Sequence, residues 1–155
     1  WSGEGLYFSS TAAQHANRIG VGHRKVYNYR LNNANSGLTK YNLQMGLNAY
    51  DNIRYIRDHL YLRDEMVLRA IDCHIWRNYG YVLFLIIATN SQKENSDLYR
   101  ECLKQIKRTM FPVILKSDFG FKTKVHMLLE GLFPVFIYKN RVKRNIKLLK
   151  KDKME

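Results

Sequence analysis

The sequence predicts a mainly α protein, a helical bundle-like body behind a short N-terminal helix–strand–loop start. Three observations carry this. Apolar residues recur three or four apart along most of the chain, as one face of a helix requires. A single segment, Lys25 to Leu31, alternates with the period of a strand. The length of 155 residues and the apolar share of 46% suffice for one packed core, and no long Gly/Ser linker or internal repeat divides the chain.

Taken in order, "LYFSSTAAQHANRI" (Leu6 to Ile19) has helical rhythm through Leu6, Ala12 or Ala13, Ala16 and Ile19, with Gly20 and Gly22 placed to end it. Asn32 to Gly37 is a loop by composition. Thr39 or Asn42 can then cap a helix running to about Leu62, with Leu43, Leu47, Tyr50, Ile53, Ile56 and Leu60 as its stripe. The next helix spans Arg63 to Ala88, and Asp64-Glu65 suits its N-terminus, where negative charge meets the helix dipole. Its "YGYVLFLIIA" run is too short for a bilayer span of about 20 residues. It reads as a buried helix end, with a buried strand as the alternative. Ser91 to Met110 forms a further helix that Pro112 is expected to interrupt. Phe121 to Lys151 follows, kinked or broken at Pro134.

The net charge of +13 calls for an anionic partner or location: lipid, nucleic acid or a phosphorylated ligand. Seven of the thirteen residues from Lys139 to Lys151 are basic: Lys139, Arg141, Lys143, Arg144, Lys147, Lys150 and Lys151. Val142, Ile146, Leu148 and Leu149 lie between them. As a helix this tail fits an interfacial anchor on anionic lipid, the apolar stretch before it dipping into the headgroups. The alternative is a solvated terminal helix whose apolar residues pack on the body. Nucleic acid is disfavoured, because no aromatic rings are interleaved with these charges for base stacking.

Cys73 and Cys102, far apart in helical patterns, read as reduced, buried small hydrophobes. His15, His23, His59, His74 and His126 are scattered without ligand spacing, so no metal site is expected. The opening residues show no basic n-region or apolar h-region, so no signal peptide is expected; from the mid-phrase start at "WSGEG" a fragment of something longer is expected, with a processed or tag-derived end as the alternative. Neither GxxxxGK[ST] nor GxGxxG nor Asp-x-Asp is present, which leaves no complete catalytic apparatus.

The remaining phrases fall in a telling order: Gly3-Glu4, then Tyr27-Asn28-Tyr29-Arg30, then Ser36-Gly37-Leu38-Thr39. Together with the aromatic pair Tyr7-Phe8, this resembles the C-terminal part of family 2 glycosyltransferases of the GT-A fold, over roughly residues 1–40. The resemblance implies that residues 1–40 are the last piece of a GT-A α/β domain and 41–155 a helical C-terminal extension with a basic tail. It implies a parent enzyme that transfers a sugar from a nucleotide-sugar donor to the hydroxyl of a glycan or lipid-linked acceptor, in cell-surface polysaccharide synthesis.

In that family the Asp of a Gly-Glu-Asp phrase is the general base. Here that position is Gly5, so either Glu4 serves or the site is inactive or altered. Arg30 would pair with the donor's diphosphate, and Ser36 and Thr39 would hold the loop over it. No cofactor is expected in this fragment, while Mg or Mn is implied for the parent, whose metal-binding Asp-x-Asp would lie upstream. The fragment by itself is expected to be catalytically silent and, from resemblance plus charge, peripheral at the cytoplasmic face of the membrane. The rival expectation is a stand-alone basic helical module that binds nucleic acid or a partner protein.

Overall fold

The computed structural model describes residues 4–24 and 41–151, with side chains from 5 to 24 and from 41 to 147. Six helices and no strand occur among the described residues: α1 (Glu4–His15), α2 (Leu43–Asp58), α3 (Glu65–Ala88), α4 (Ser96–Lys116), α5 (Phe121–Leu132) and α6 (Pro134–Lys151). The chain is mainly helical, as its periodicity predicts. The predicted strand at 25–31 and the loop at 32–37 lie outside the described residues.

Helix α3 is the axis of the fold. The "YGYVLFLIIA" run is its C-terminal half, a buried helix rather than a strand, with Leu83 and Ile86 0% exposed. A helix apolar on all sides needs neighbours on all sides. Here α2, α4 and α6 each pack against it. Gly46 lets α2 approach closely, since a Cβ there would sit 2.7 Å from Leu85 Cδ1 and 3.3 Å from Val82 Cγ2. The Trp76 indole N–H, buried at the α3–α4 seam, donates to the Ile106 carbonyl at 3.0 Å. Both cysteines are free and buried. Burial pushes the Cys102 thiol up to about 12, with the Glu101 carboxylate adding to the rise.

A smaller cluster, Ile53, Ile56, Leu60 and Ile71, receives Tyr7 from α1. The Tyr7 ring meets Tyr55 edge-on at 5.6 Å. The Gln14 side-chain oxygen accepts from the backbone N–H groups of Tyr61 and Leu62 at 2.7 and 3.2 Å, so α1 rests on the turn after α2.

The helix ends follow local chemistry. Asn42 and Asp64 cap α2 and α3 by accepting from Gln44 N–H and Met66 N–H. Helix α3 stops where Asn90 adopts φ 54°, a left-handed turn that asparagine tolerates, and Ser91 N–H closes onto the Ile86 carbonyl. Pro134 occupies the first position of α6, where its missing N–H costs nothing, so the predicted break is real.

Three expectations are corrected. Helix α1 ends at His15 rather than Ile19, because Ile19 is exposed and the apolar face beyond His15 meets no partner. Helix α2 stops at Asp58, four residues before Leu62, and the Arg63 guanidinium donates to the Asp58 carbonyl. Pro112 does not interrupt α4, which begins at Ser96 and continues to Lys116. A proline inside a helix costs about 3 kcal/mol. Pro112 lies on the exposed face, while Val113 and Ile114 just beyond it are buried in the core, and their burial offsets that cost.

Candidate anion-binding and interfacial site

The sequence-predicted sites divide by location. Glu4 is the first residue of α1, followed by Gly5, while Arg30, Ser36 and Thr39 lie outside the described residues. The basic residues of the tail do form a helix, α6. Lys139, Arg141, Lys143, Arg144 and Lys147 are all exposed along it, and Lys150 and Lys151 continue its backbone.

Helix α6 is not a free tail. Its inner stripe, Tyr138 and Val142, belongs to the main core. Tyr138 enters that core because Gly80 of α3 has no side chain; a methyl group there would overlap the Tyr138 hydroxyl. That hydroxyl donates to Glu130 of α5, so one buried bond ties α5 to α6 against α3. Burial, the Glu130 carboxylate and this hydrogen bond all hold the Tyr138 phenol protonated far above its ordinary range. The Arg141 guanidinium lies over the Phe84 ring at 5.6 Å, which anchors the next turn of α6.

Two surfaces result. On one side, α3, α5 and α6 enclose a groove of about 740 Å³. Arg77 enters it from α3 and Arg141 and Arg144 from α6, with Thr123, His126 and Glu130 from α5. The ion pairs among the described residues, Arg57–Asp72, Arg69–Glu65 and Arg100–Asp97, lie elsewhere, so these three arginines have no carboxylate partner there. His74, about one helical turn before Arg77 on α3, is held below its ordinary pKa by burial and by that guanidinium.

On the other side, α5 presents Phe121, Val125, Leu129 and Leu132, each three or four residues from the last and each exposed, Phe121 by 81%. Phe133 at the corner and Phe136 on α6 extend this apolar row, Phe136 being 66% exposed. Along α6 the stripe runs Phe136, Lys139, Lys143, Ile146 and Lys147, all exposed and again three or four apart or adjacent. By helical spacing Arg141 lies roughly opposite this stripe on α6, while Arg144, three residues before Lys147, borders it.

Sequence reasoning found the basic tail and the apolar stretch before it. It did not single out Arg77, because nothing in the sequence relates α3 to α6. It also did not separate Tyr138, which is core, from Phe136, which is surface; their chemistry is alike and only the packing differs.

Among the described residues no helix is long and apolar enough to cross a membrane, and no group of three His, Cys, Asp or Glu side chains is placed to hold a metal ion. No protein-family model, curated protein or solved structure matches the chain.

Proposed function

We propose that this chain is the C-terminal part of a family 2 glycosyltransferase and that its helical body holds the catalytic domain against an anionic membrane surface. The observation that carries the membrane half is the exposed apolar row from Phe121 to Phe136, continuing directly into the lysines of α6. Each phenyl ring that leaves water gains about 1.5–3 kcal/mol, and each lysine near an anionic leaflet about 1 kcal/mol. A surface with both acts as an interfacial anchor. The Gly3-Glu4, Tyr27 to Arg30 and Ser36 to Thr39 phrases support the catalytic half, in which a nucleotide-sugar donor and a glycan or lipid-linked acceptor meet in the GT-A domain.

Sedimentation with phosphatidylcholine vesicles, with and without phosphatidylglycerol, tests the membrane half. The chain pellets with the anionic vesicles, and added salt weakens this. Replacing Phe121 and Phe136 together by Ser lowers the partition by at least about tenfold. Point variants are the right probe, because deleting the tail from Lys139 onward also removes Val142 and Arg141 from their contacts with the core and with Phe84. Unchanged pelleting of the double variant overturns the anchor. For the catalytic half, the gene upstream of the Trp1 codon should encode alternating strands and helices with an Asp-x-Asp; a frame without them overturns it.

A further inference from the structure

The groove between α3, α5 and α6 has a composition that the interfacial anchor does not use. Arg77, Arg141 and Arg144 converge on it from two helices, and Glu130 is its one carboxylate among the described lining residues. Glu130 is already engaged by the Tyr138 hydroxyl. None of the three arginines makes an ion pair among the described residues, and three guanidinium charges against the one of Glu130 leave the lining with a net charge of +2, a field that favours an anion. Arginine's planar fork matches the oxygens of a phosphate two at a time. The Thr123 hydroxyl and the Asn140 amide line the same groove and make no hydrogen bond among the described residues, which leaves them free for further phosphate oxygens. Arg141 is held in place from behind by the Phe84 ring, so part of the site is ordered before any ligand arrives.

We infer that this groove is a binding site for a phosphate monoester or diphosphate group, with Arg77, Arg141 and Arg144 as its ligands. The inference does not rest on the membrane anchor: its ligands are arginines of α3 and α6, whereas the anchor uses Phe121, Val125, Leu129 and Leu132 on the other face of α5, and on α6 the two surfaces adjoin at Phe136 and Asn140. A single phosphate chemistry has two sources here, a soluble phosphorylated ligand or a lipid headgroup that ends in a phosphate monoester.

The test uses the whole 155-residue chain and inorganic pyrophosphate in isothermal titration calorimetry, with vesicle binding as its second arm. Pyrophosphate binds, Arg77→Gln and Arg144→Gln each weaken it by about tenfold or more, and Lys139→Gln with Lys143→Gln, neither of which lines the groove, leaves it unchanged. Both arginines are exposed, so the variants keep the fold, checked by their melting temperatures. In the second arm, vesicles containing phosphatidic acid are compared with phosphatidylglycerol vesicles of matched charge. Preference for phosphatidic acid that Arg77→Gln and Arg144→Gln abolish assigns the site to a lipid headgroup. Pyrophosphate binding without that preference assigns it to a soluble ligand. The site is overturned if the arginine variants bind pyrophosphate as the parent does, or if pyrophosphate does not bind and the two vesicle types are equivalent. Loss of vesicle binding in the Phe121/Phe136 variant with pyrophosphate binding intact separates a failure of the site from a failure of the anchor.

Discussion

The α3–α4 core and the α5–α6 arm are built from the same kinds of residue and put them to opposite uses. In the core, Leu83, Leu85, Ile86 and Ile106 are almost wholly withdrawn from water. In the arm, Phe121, Val125, Leu129 and Phe136 stand at equally regular helical spacing and remain exposed. The difference lies in the number of neighbours. Helix α3 is flanked by α2, α4 and α6, whereas α5 meets α4 on one side and α6 on another and has no helix on its outer face among the described residues. An apolar stripe therefore states only that a surface is to be covered. What covers it is set by the rest of the fold or by a partner.

Four experiments break or sharpen this contrast. The largest effect belongs to the core: Leu83→Ala or Ile86→Ala should lower unfolding stability by about 3 kcal/mol in urea, because a well-packed site leaves a cavity behind. A loss below about 1 kcal/mol would mean that the core is no tighter than the arm. Next comes the seam between the two regions. Gly80→Ala drives a methyl group into the Tyr138 hydroxyl and should cost about 2 kcal/mol by overpacking. Tyr138→Phe should recover part of that loss in a double-mutant cycle, since it removes the atom nearest the new methyl group.

The third effect is one of pH. The Cys102 thiol ionises near 9 when unfolded and at about 12 when buried, so the native state holds its proton longer. Stability is then full below pH 9 and falls as pH rises from 9 toward 12, by about 1 kcal/mol at pH 10. Thermal melts at pH 8 and pH 10 should show a smaller alkaline drop for Cys102→Ala than for the parent, and equal drops would remove the thiol from the account. The smallest effect belongs to the arm: Phe136→Ser should change unfolding stability by less than about 0.5 kcal/mol. A larger loss would place Phe136 in the core and sink its role as an exposed anchor.

How legible all this was in the sequence differs from element to element. The starts of α2 and α3 were readable to within a few residues, Asn42 being one of two candidate caps with Thr39 and Asp64 lying in the acidic pair at the start of α3, and Pro134 marked the break before α6, because such residues act within one turn of their own positions. The end of α1 and the continuity of α4 were not, because each is decided by burial: Ile19 meets nothing, whereas Val113 and Ile114 beyond Pro112 meet the core. For the candidate sites, the basic residues of α6 were visible as a run, and so was the apolar stretch before them. Arg77 was invisible, being 64 residues before Arg141 in the chain and joined to it only by the packing of α6 on α3.

What the sequence by itself determined is the helical character, the approximate starts of α2 and α3, the break at Pro134 and the cationic α6, because periodicity, capping and charge act locally along the chain. What only the tertiary structure decided is which apolar stripes became core and which basic residues became neighbours. Those outcomes rest on contacts between residues far apart in sequence, such as Tyr138 entering the space left by Gly80. That contact seats α6 against α3, turns Phe136 outward, and brings Arg77 to the same groove as Arg141 and Arg144.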